Sequence, residues 1–242
     1  SDKMSIYPKN IKEYIGKNPY PGRGIIVGKT PSGKLAVAYF IMGRSQNSRN
    51  RVLNVLPSGH VYTEPFDFSK VEDPTLIIYR ALATVRHHLI VTNGDQTDTI
   101  YRELEADGCS RKALKTREFE PDAPNFTPRI SGVVTWKDGD FSYEISILKS
   151  ADREGSACNR YFYSYASLEG RGHFIHTYEG DGNPLPTFEG EPRCVVIPED
   201  IDQFADEIWN NLDAENKIAL YVLYADGEDG KVENRLFNKN TK

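Results

Sequence analysis

Leu35-Ala36-Val37-Ala38-Tyr39-Phe40-Ile41-Met42 runs through Gly43 into Arg44-Ser45-Gln46-Asn47-Ser48-Arg49-Asn50-Arg51, and the reading of the fold turns on this stretch. The first eight residues are apolar or aromatic without a break, which reads as a buried strand. The next eight hold three guanidiniums among small polar side chains. Val52, Leu53, Val55 and Leu56 then turn apolar again. A buried strand therefore runs out into an arginine-rich loop and returns as a second strand. Arginine is suited to gripping a phosphate or carboxylate through two parallel hydrogen bonds. Serine and asparagine add hydroxyl and amide donors. Two readings are open at this point: an anion site fixed on a rigid sheet, or a solvated basic turn.

The same strand–turn–strand pattern extends outward. Tyr20-Pro21-Gly22-Arg23-Gly24 opens it, with two glycines that permit close backbone approach or positive φ. Ile25–Gly28 pairs as a hairpin with Leu35–Met42 around Pro31-Ser32-Gly33-Lys34. Val52–Leu56 and His60–Phe66 form a second hairpin. Strands are expected at Leu76–Tyr79, Ala81–Val85 and Leu89–Thr92. From Thr97 the period changes to that of a helix, capped by Thr97 or Asp98 and running to Asp107, with Gly108 as its stop. A short helix follows from Ser110, then an irregular segment Glu118–Pro128. Arg129–Trp136 and Phe141–Leu148 form another hairpin. Arg160–Leu168 and His173–Tyr178 follow, and Tyr161, Tyr163 and Tyr165 share one face for packing between layers. Cys194–Ile197 leads to an amphipathic helix Glu199–Leu212, whose stripe is Ile201, Phe204, Ala205, Ile208 and Leu212. Ile218–Tyr224 is a buried strand, and Asn234–Phe237 an edge strand.

Strands arrive in antiparallel hairpins rather than in βαβ alternation, so the class is α+β, and two face-to-face sheets with helices outside suit the pattern. No repeat or low-complexity linker interrupts the chain. Residues 1–19 read as an N-terminal arm with a short helix near Asn10–Ile15, and residues 20–242 as a single domain.

The composition belongs to a folded protein: 38 % hydrophobic and 27 % charged residues, with 14 Tyr and 11 Phe. A net charge of −5 disfavours a general nucleic-acid binder, which usually carries a basic surplus. A local arginine cluster in an acidic chain points instead to a small anionic ligand. Three scattered cysteines, Cys109, Cys158 and Cys194, lack zinc-ligand spacing and fit reduced thiols in a cytoplasm. No apolar run approaches the roughly 18 residues of a membrane span. Within the sequence His173 and His176 stand at i and i+3 of a strand, on opposite faces, and make poor co-ligands, so no metal site is expected.

Three further stretches carry candidate chemistry. Asn93-Gly94-Asp95-Gln96-Thr97-Asp98-Thr99 follows a strand and opens a helix, where backbone N–H groups attract anions. It also reads as a capped helix start with a type I′ turn. Asn125-Phe126-Thr127-Pro128-Arg129-Ile130 sets an arginine at the mouth of a strand, with Glu120 and Asp122 just before it. That carboxylate can act as a general base, or simply form a surface ion pair. Tyr79 can donate to a developing oxyanion, or be a core tyrosine.

Taken together these stretches resemble the archaeal-type inosine monophosphate (IMP) cyclohydrolase family. The matching pieces are Tyr20-Pro21-Gly22-Arg23 before a Val27-Gly28-Lys29 hairpin, Ala38-Tyr39 leading to Arg44-Ser45 and Asn50-Arg51, Tyr79 ahead of Asn93–Ile100, Asn125–Ile130, and Thr177-Tyr178-Glu179. They keep their order over about residues 20–225. The chain differs from the family pattern in its N-terminal arm, in a longer stretch between Lys137 and Arg171, and in Ser48-Arg49, where an aromatic residue and proline are expected.

The resemblance implies a four-layer α-β-β-α sandwich of two antiparallel sheets, like that of N-terminal nucleophile hydrolases. It implies closure of 5-formamidoimidazole-4-carboxamide ribotide (FAICAR) to IMP with loss of water, the last step of purine synthesis, with no cofactor. In this reading Arg51 and Tyr79 stabilise the formyl oxygen. Glu120 takes the amide proton, with Asp122 as the alternative. Arg23, Arg44 and Arg129 hold phosphate or ribose, Asn93, Gly94 and Thr97 line the base or phosphate pocket, and Tyr20, Ser45, Asn50 and Asp122 are further substrate-binding residues. The expected partner is a purine ribotide, with a homo-oligomer allowed and neither nucleic acid nor membrane expected. A nucleotide- or RNA-binding module without catalysis, and an amidohydrolase of the same fold, are the competing readings.

Overall fold

The computed structural model describes residues 6–71 and 73–241; the first five residues of the arm lie outside the described residues. Strand β2 (Leu35–Met42) shows why the chain folds as it does. All eight of its residues are buried. Period-two alternation sends Leu35, Val37, Tyr39 and Ile41 into one apolar cluster and Ala36, Ala38, Phe40 and Met42 into another. A strand apolar on both faces needs cover on both, and a second sheet supplies one cover and helices the other.

The first sheet has six strands in the order β11-β10-β1-β2-β12-β13. They are β1 (Gly24–Lys29), β2, β10 (Arg171–His176), β11 (Arg193–Val196), β12 (Lys217–Ala225) and β13 (Val232–Asn238). The second sheet has seven, β3 through β9, in sequence order as one meander. These are β3 (Arg51–Val55), β4 (Val61–Pro65), β5 (Tyr79–Val85), β6 (His88–Thr92), β7 (Arg129–Lys137), β8 (Asp140–Ser150) and β9 (Cys158–Ala166). Every strand pairing in both sheets is antiparallel. The largest apolar cluster draws residues from both sheets. Helices α1 (Lys12–Ile15) and α5 (Ile201–Asn211) cover the far face of the first sheet. Helices α3 (Gln96–Glu105) and α4 (Ser110–Leu114) cover the far face of the second. Helix α5 buries Ile201, Phe204, Ala205 and Ile208, and Leu212 just past its end is buried too, which completes the stripe read from the sequence; Asp200 caps the helix through the N–H groups of Asp202 and Gln203. The arm is docked: Ile11 and Ile15 are buried, and Lys9 pairs with the β11 backbone.

Several sequence expectations shift. Leu76–Ile78 is a turn, not strand, because Asp73 accepts from Thr75 and the N–H groups of Ile77 and Ile78 close on Pro74. The α3 helix begins one residue earlier than Thr97 and follows Asp95, and neither Thr97 nor Asp98 is its cap. Neither Asn93 nor Gly94 takes the positive φ of a type I′ turn. The arginine loop contains a single helical turn, α2 (Gln46–Arg49), because Ser45 and Ser48 cap one another reciprocally. Strands β9 and β10 lie two residues earlier than expected. Tyr163 and Tyr165 pack against the inter-sheet cluster, whereas Tyr161 is 41 % exposed at the sheet edge.

Burial gives the fold a defined acid sensitivity. His176 donates from Nδ1 to the Tyr178 carbonyl at 2.8 Å, and burial depresses its pKa to about 3. His173 is depressed to about 4 by burial, with Arg171 adding to it. Both are neutral in the fold, while the unfolded chain protonates them near the ordinary histidine value of about 6.5. Stability is therefore intact above that value and is lost as pH falls from it toward 4. At pH 4.5 His176 alone should cost about 2–3 kcal/mol. Urea midpoints should drop across pH 6.5–4.5 in the wild type and drop less in His176→Asn, which keeps a donor but not the titration. An equal slope in both would refute the assignment.

Candidate active site

The chain leaves the ends of β2, β6 and β10 on one side of the molecule, where β1, β3 and β7 begin. A cavity of about 380 Å³ opens there. Its wall includes Tyr20, Arg23, Arg44, Ser45, Arg51, Glu120 and Asp122, all read from the sequence as site residues.

Arg51 is the first residue of β3 and is 6 % exposed. Its Nε donates to the Ser48 carbonyl at 2.7 Å and its Nη2 to the Met42 carbonyl at 2.9 Å. Among the described residues no protein acceptor pairs with Nη1, and no carboxylate pairs with the guanidinium. Burial lowers its pKa, and the like charge of Arg23 lowers it further. A buried cation beside another cation is costly unless an anion is supplied. The arrangement therefore favours a negatively charged ligand.

Arg23 follows Gly22, whose φ is +82°. A Cβ on Gly22 would stand 2.6 Å from the Tyr178 ring, so only glycine lets the backbone pass there. Arg23 donates from Nη1 to the Asn93 carbonyl at 2.6 Å and from Nη2 to Glu120 at 2.8 Å. Glu120 is 3 % exposed. Burial raises its pKa above the ordinary carboxylate range, Arg23 opposes this, and Asp122 reinforces it. The result is a carboxylate with heightened proton affinity, held in one position by an arginine.

Arg44 sits at the rim, paired with Asp181 at 2.5 Å and with the Gly182 carbonyl at 2.7 Å, and its guanidinium lies 5.7 Å from the Tyr20 ring centre. Arg49, the third arginine of the loop, instead ties down Gly43 and Asn216. Tyr20 stacks on Tyr178 with ring centres 5.9 Å apart.

Other sequence-read residues lie behind the wall. Tyr79 is buried and shares a hydrogen bond with the Tyr39 hydroxyl. Asn50 fastens Asp67 through both backbone groups. Asn93 is fully buried and bonds the Pro128 carbonyl, the Ile130 N–H and Gln96. Thr97 bonds Thr92 and the Gly94 carbonyl. Arg129 holds the Glu118 carbonyl, Gln96 and Asp95. The Asn93–Thr97 stretch is thus a buried brace under Arg23 and Arg129 rather than the cavity surface. Glu120 pairs with Arg23, not with Arg129, and does so in the interior rather than on the surface.

Sequence reading assigned no role to Thr127 and Tyr178, although both fall in the matching pieces. The Thr127 hydroxyl bonds Asp122 and the Tyr178 hydroxyl, and all three residues line the cavity. Leu76, Ile77 and Leu185 supply apolar wall, and Asn47 contributes a buried Oδ1 without a partner among the described residues. The long stretch after Lys137 forms the β8–β9 hairpin, and its tip at Gly155 rests on the Phe126 ring, next to Thr127.

A two-sheet α+β protein with buried Arg23, Arg51 and Glu120 on the wall of a cavity at one end of its sheets presents a pocket suited to a small anionic molecule. The family model of IMP cyclohydrolase-like proteins matches residues 20–230. The chain belongs to that family. It is 29 % identical over 193 residues to the IMP cyclohydrolase of Methanopyrus kandleri, covering 75 % of this chain and 95 % of the relative. It is 24 % identical over 222 residues to that of Methanocaldococcus jannaschii, covering 88 % and 97 %. To that of Methanococcus maripaludis strain C7 it is 34 % identical over 120 residues, covering 48 % and 58 %.

Proposed function

We propose that this protein is an IMP cyclohydrolase that closes the ring of FAICAR to IMP and water. The observation that carries the reading is the buried pairing of Glu120 with Arg23 on the same cavity wall as a buried Arg51 that has no carboxylate partner among the described residues, in a chain whose family model spans residues 20–230. The cavity falls within the usual range for small ligands, about 300–1,000 Å³. In the same reading the sheets and their helical covers form a four-layer α-β-β-α sandwich of the N-terminal nucleophile hydrolase type, residues 20–242 are the catalytic domain, and the protein works in the cytoplasm. Among the described residues no helix is long and apolar enough to cross a membrane.

Ring closure brings a carboxamide nitrogen onto a formyl carbon. Amide nitrogen is a weak nucleophile, so orientation carries much of the work, and well-oriented intramolecular reactions gain about 7–11 kcal/mol. Glu120 takes a proton from the carboxamide nitrogen as the C–N bond forms. The formyl oxygen gains the π electron pair, and Arg51 donates to it. Arg44 and Ser45 at the rim, with Tyr20, meet the phosphate and ribose. Tyr79, Asn50, Asn93, Gly94, Thr97 and Arg129 act from behind, fixing the arginines and the loop.

The test is purified protein with FAICAR, following IMP formation in the presence of EDTA. Turnover at undiminished rate is expected. IMP binding without turnover would mean a purine site with another reaction. Neither binding nor turnover would refute the reading.

A further inference from the structure

Forming IMP removes a proton from two different nitrogens, the carboxamide and the formamido group. The proposed function uses Glu120 for the first. The geometry points to a hydroxyl relay, Tyr178–Thr127–Asp122, as the acceptor of the second, an inference that rests on that proposed function.

Hydrogen-bond directions in this chain follow by elimination. Asp122 accepts from the Thr127 N–H at 2.7 Å through Oδ1 and from the Thr127 hydroxyl through Oδ2. A threonine hydroxyl has one proton, and a carboxylate can only accept. With that proton committed to Asp122, the bond between Thr127 and the Tyr178 hydroxyl must be donated by Tyr178. The phenol oxygen then has no proton to offer and presents lone pairs. Tyr178 lines the cavity, so it can accept from a ligand N–H. Asp122 also lines the cavity, and each of its oxygens accepts one bond from Thr127, so the two hydroxyls connect it to a ligand at Tyr178.

The relay is held from several sides. Tyr178 stacks on Tyr20, and its carbonyl accepts from His176. Its backbone N–H donates to the Pro21 carbonyl. Thr127 is 2 % exposed, and its carbonyl accepts from the Glu120 N–H at 2.9 Å. The two carboxylates thus belong to one short loop, braced against each other.

In the dehydration step the formamido N–H proton passes to the Tyr178 oxygen. The Tyr178 proton moves to Thr127 Oγ1 and the Thr127 proton to Asp122 Oδ2. The oxygen left as an alkoxide by ring closure takes the proton held by Glu120, and the freed N–H electron pair then forms the C=N bond as the C–O bond breaks and hydroxide departs. The departing hydroxide and the proton that Asp122 returns to solvent together make the water lost. Tyr178 is then a catalytic residue, and Thr127 and Asp122 act through it.

Thr127→Val removes the middle hydroxyl with little change of shape, and Thr127→Ser restores it. We expect Thr127→Val to lower kcat about 100-fold, the lower range for positioned proton transfer, with KM within twofold. Thr127→Ser should recover most of that loss. The solvent deuterium isotope effect on kcat should reflect several moving protons in wild type and Thr127→Ser, and fewer in Thr127→Val. Wild-type kcat in Thr127→Val, or equal losses in Val and Ser variants, would overturn the relay.

Wild-type inactivity on FAICAR would count against the proposed function instead. The relay would then be judged by proton NMR alone. A downfield hydroxyl resonance lost in Tyr178→Phe should persist in Thr127→Ser and vanish in Thr127→Val. Its persistence in Thr127→Val would overturn the relay independently of activity.

Discussion

Arg51→Ala should lower kcat on FAICAR by about 100- to 1,000-fold, the loss typical of one oxyanion donor. IMP binding should weaken by less than tenfold. The split follows from position. Arg51 is fixed by the Ser48 and Met42 carbonyls, so its free edge meets one place in the cavity and does not follow a mobile phosphate. IMP lacks the tetrahedral oxygen that forms on the way to it, so product binding does not report that contact. Stopped-flow turnover and calorimetric IMP binding on the same preparation make the comparison. Equal losses in the two would show that Arg51 only binds the phosphate. Stability should change little, because the substitution removes a buried cation that lies beside Arg23 with no carboxylate partner among the described residues. Arg51→Lys should recover little activity, since a lysine cannot hold two carbonyls and still present a planar donor.

What was legible in the sequence and what was not separates along physical lines. The antiparallel hairpins and the α5 stripe were legible because periodicity records burial directly. Leu35–Met42 announced a buried strand, and the structure buries both of its faces. Leu76–Ile78 misled because three apolar residues in a row say only that something is covered. Here they form a turn closed on Pro74, and two of them face the cavity. The arginine loop showed that an anion site was available, but not which guanidinium serves it. Arg51 is buried against two carbonyls and Arg49 is turned toward Asn216, a difference set by the Ser45–Ser48 cap. The Asn93–Thr97 stretch has the composition of a ligand loop, yet it spends its amides on Pro128, Ile130 and Arg23. Side-chain hydrogen bonds over such distances leave no periodic trace, and for that reason Thr127 and Tyr178 were not assigned roles from the residues alone.

Glu120→Gln is the second large effect, and it should differ in kind from that of Arg51→Ala. Glutamine keeps the shape and an acceptor for Arg23 Nη2 but cannot take a proton. Loss of a positioned general base costs about 100- to 10,000-fold in rate. The same change removes a negative charge from a cavity with three arginines on its wall, so IMP should bind as tightly as to wild type or more tightly. Turnover that collapses while product affinity holds or rises cannot come from general damage to the site. Stability should fall, because Arg23 stays buried without its counter-ion. Removing one partner of a buried pair costs about 3–5 kcal/mol, and the retained hydrogen bond puts this variant below that range. The pH profile adds a further constraint. A base works ionised, and burial raises the Glu120 pKa above the ordinary carboxylate range. Activity should therefore fall as pH drops through that raised value, at a higher pH than an exposed glutamate would allow. Glu120→Gln should lose this acid limb together with its rate. A variant that kept near-wild-type kcat and the same acid limb would move the base from Glu120 to Asp122, the other carboxylate on the cavity wall.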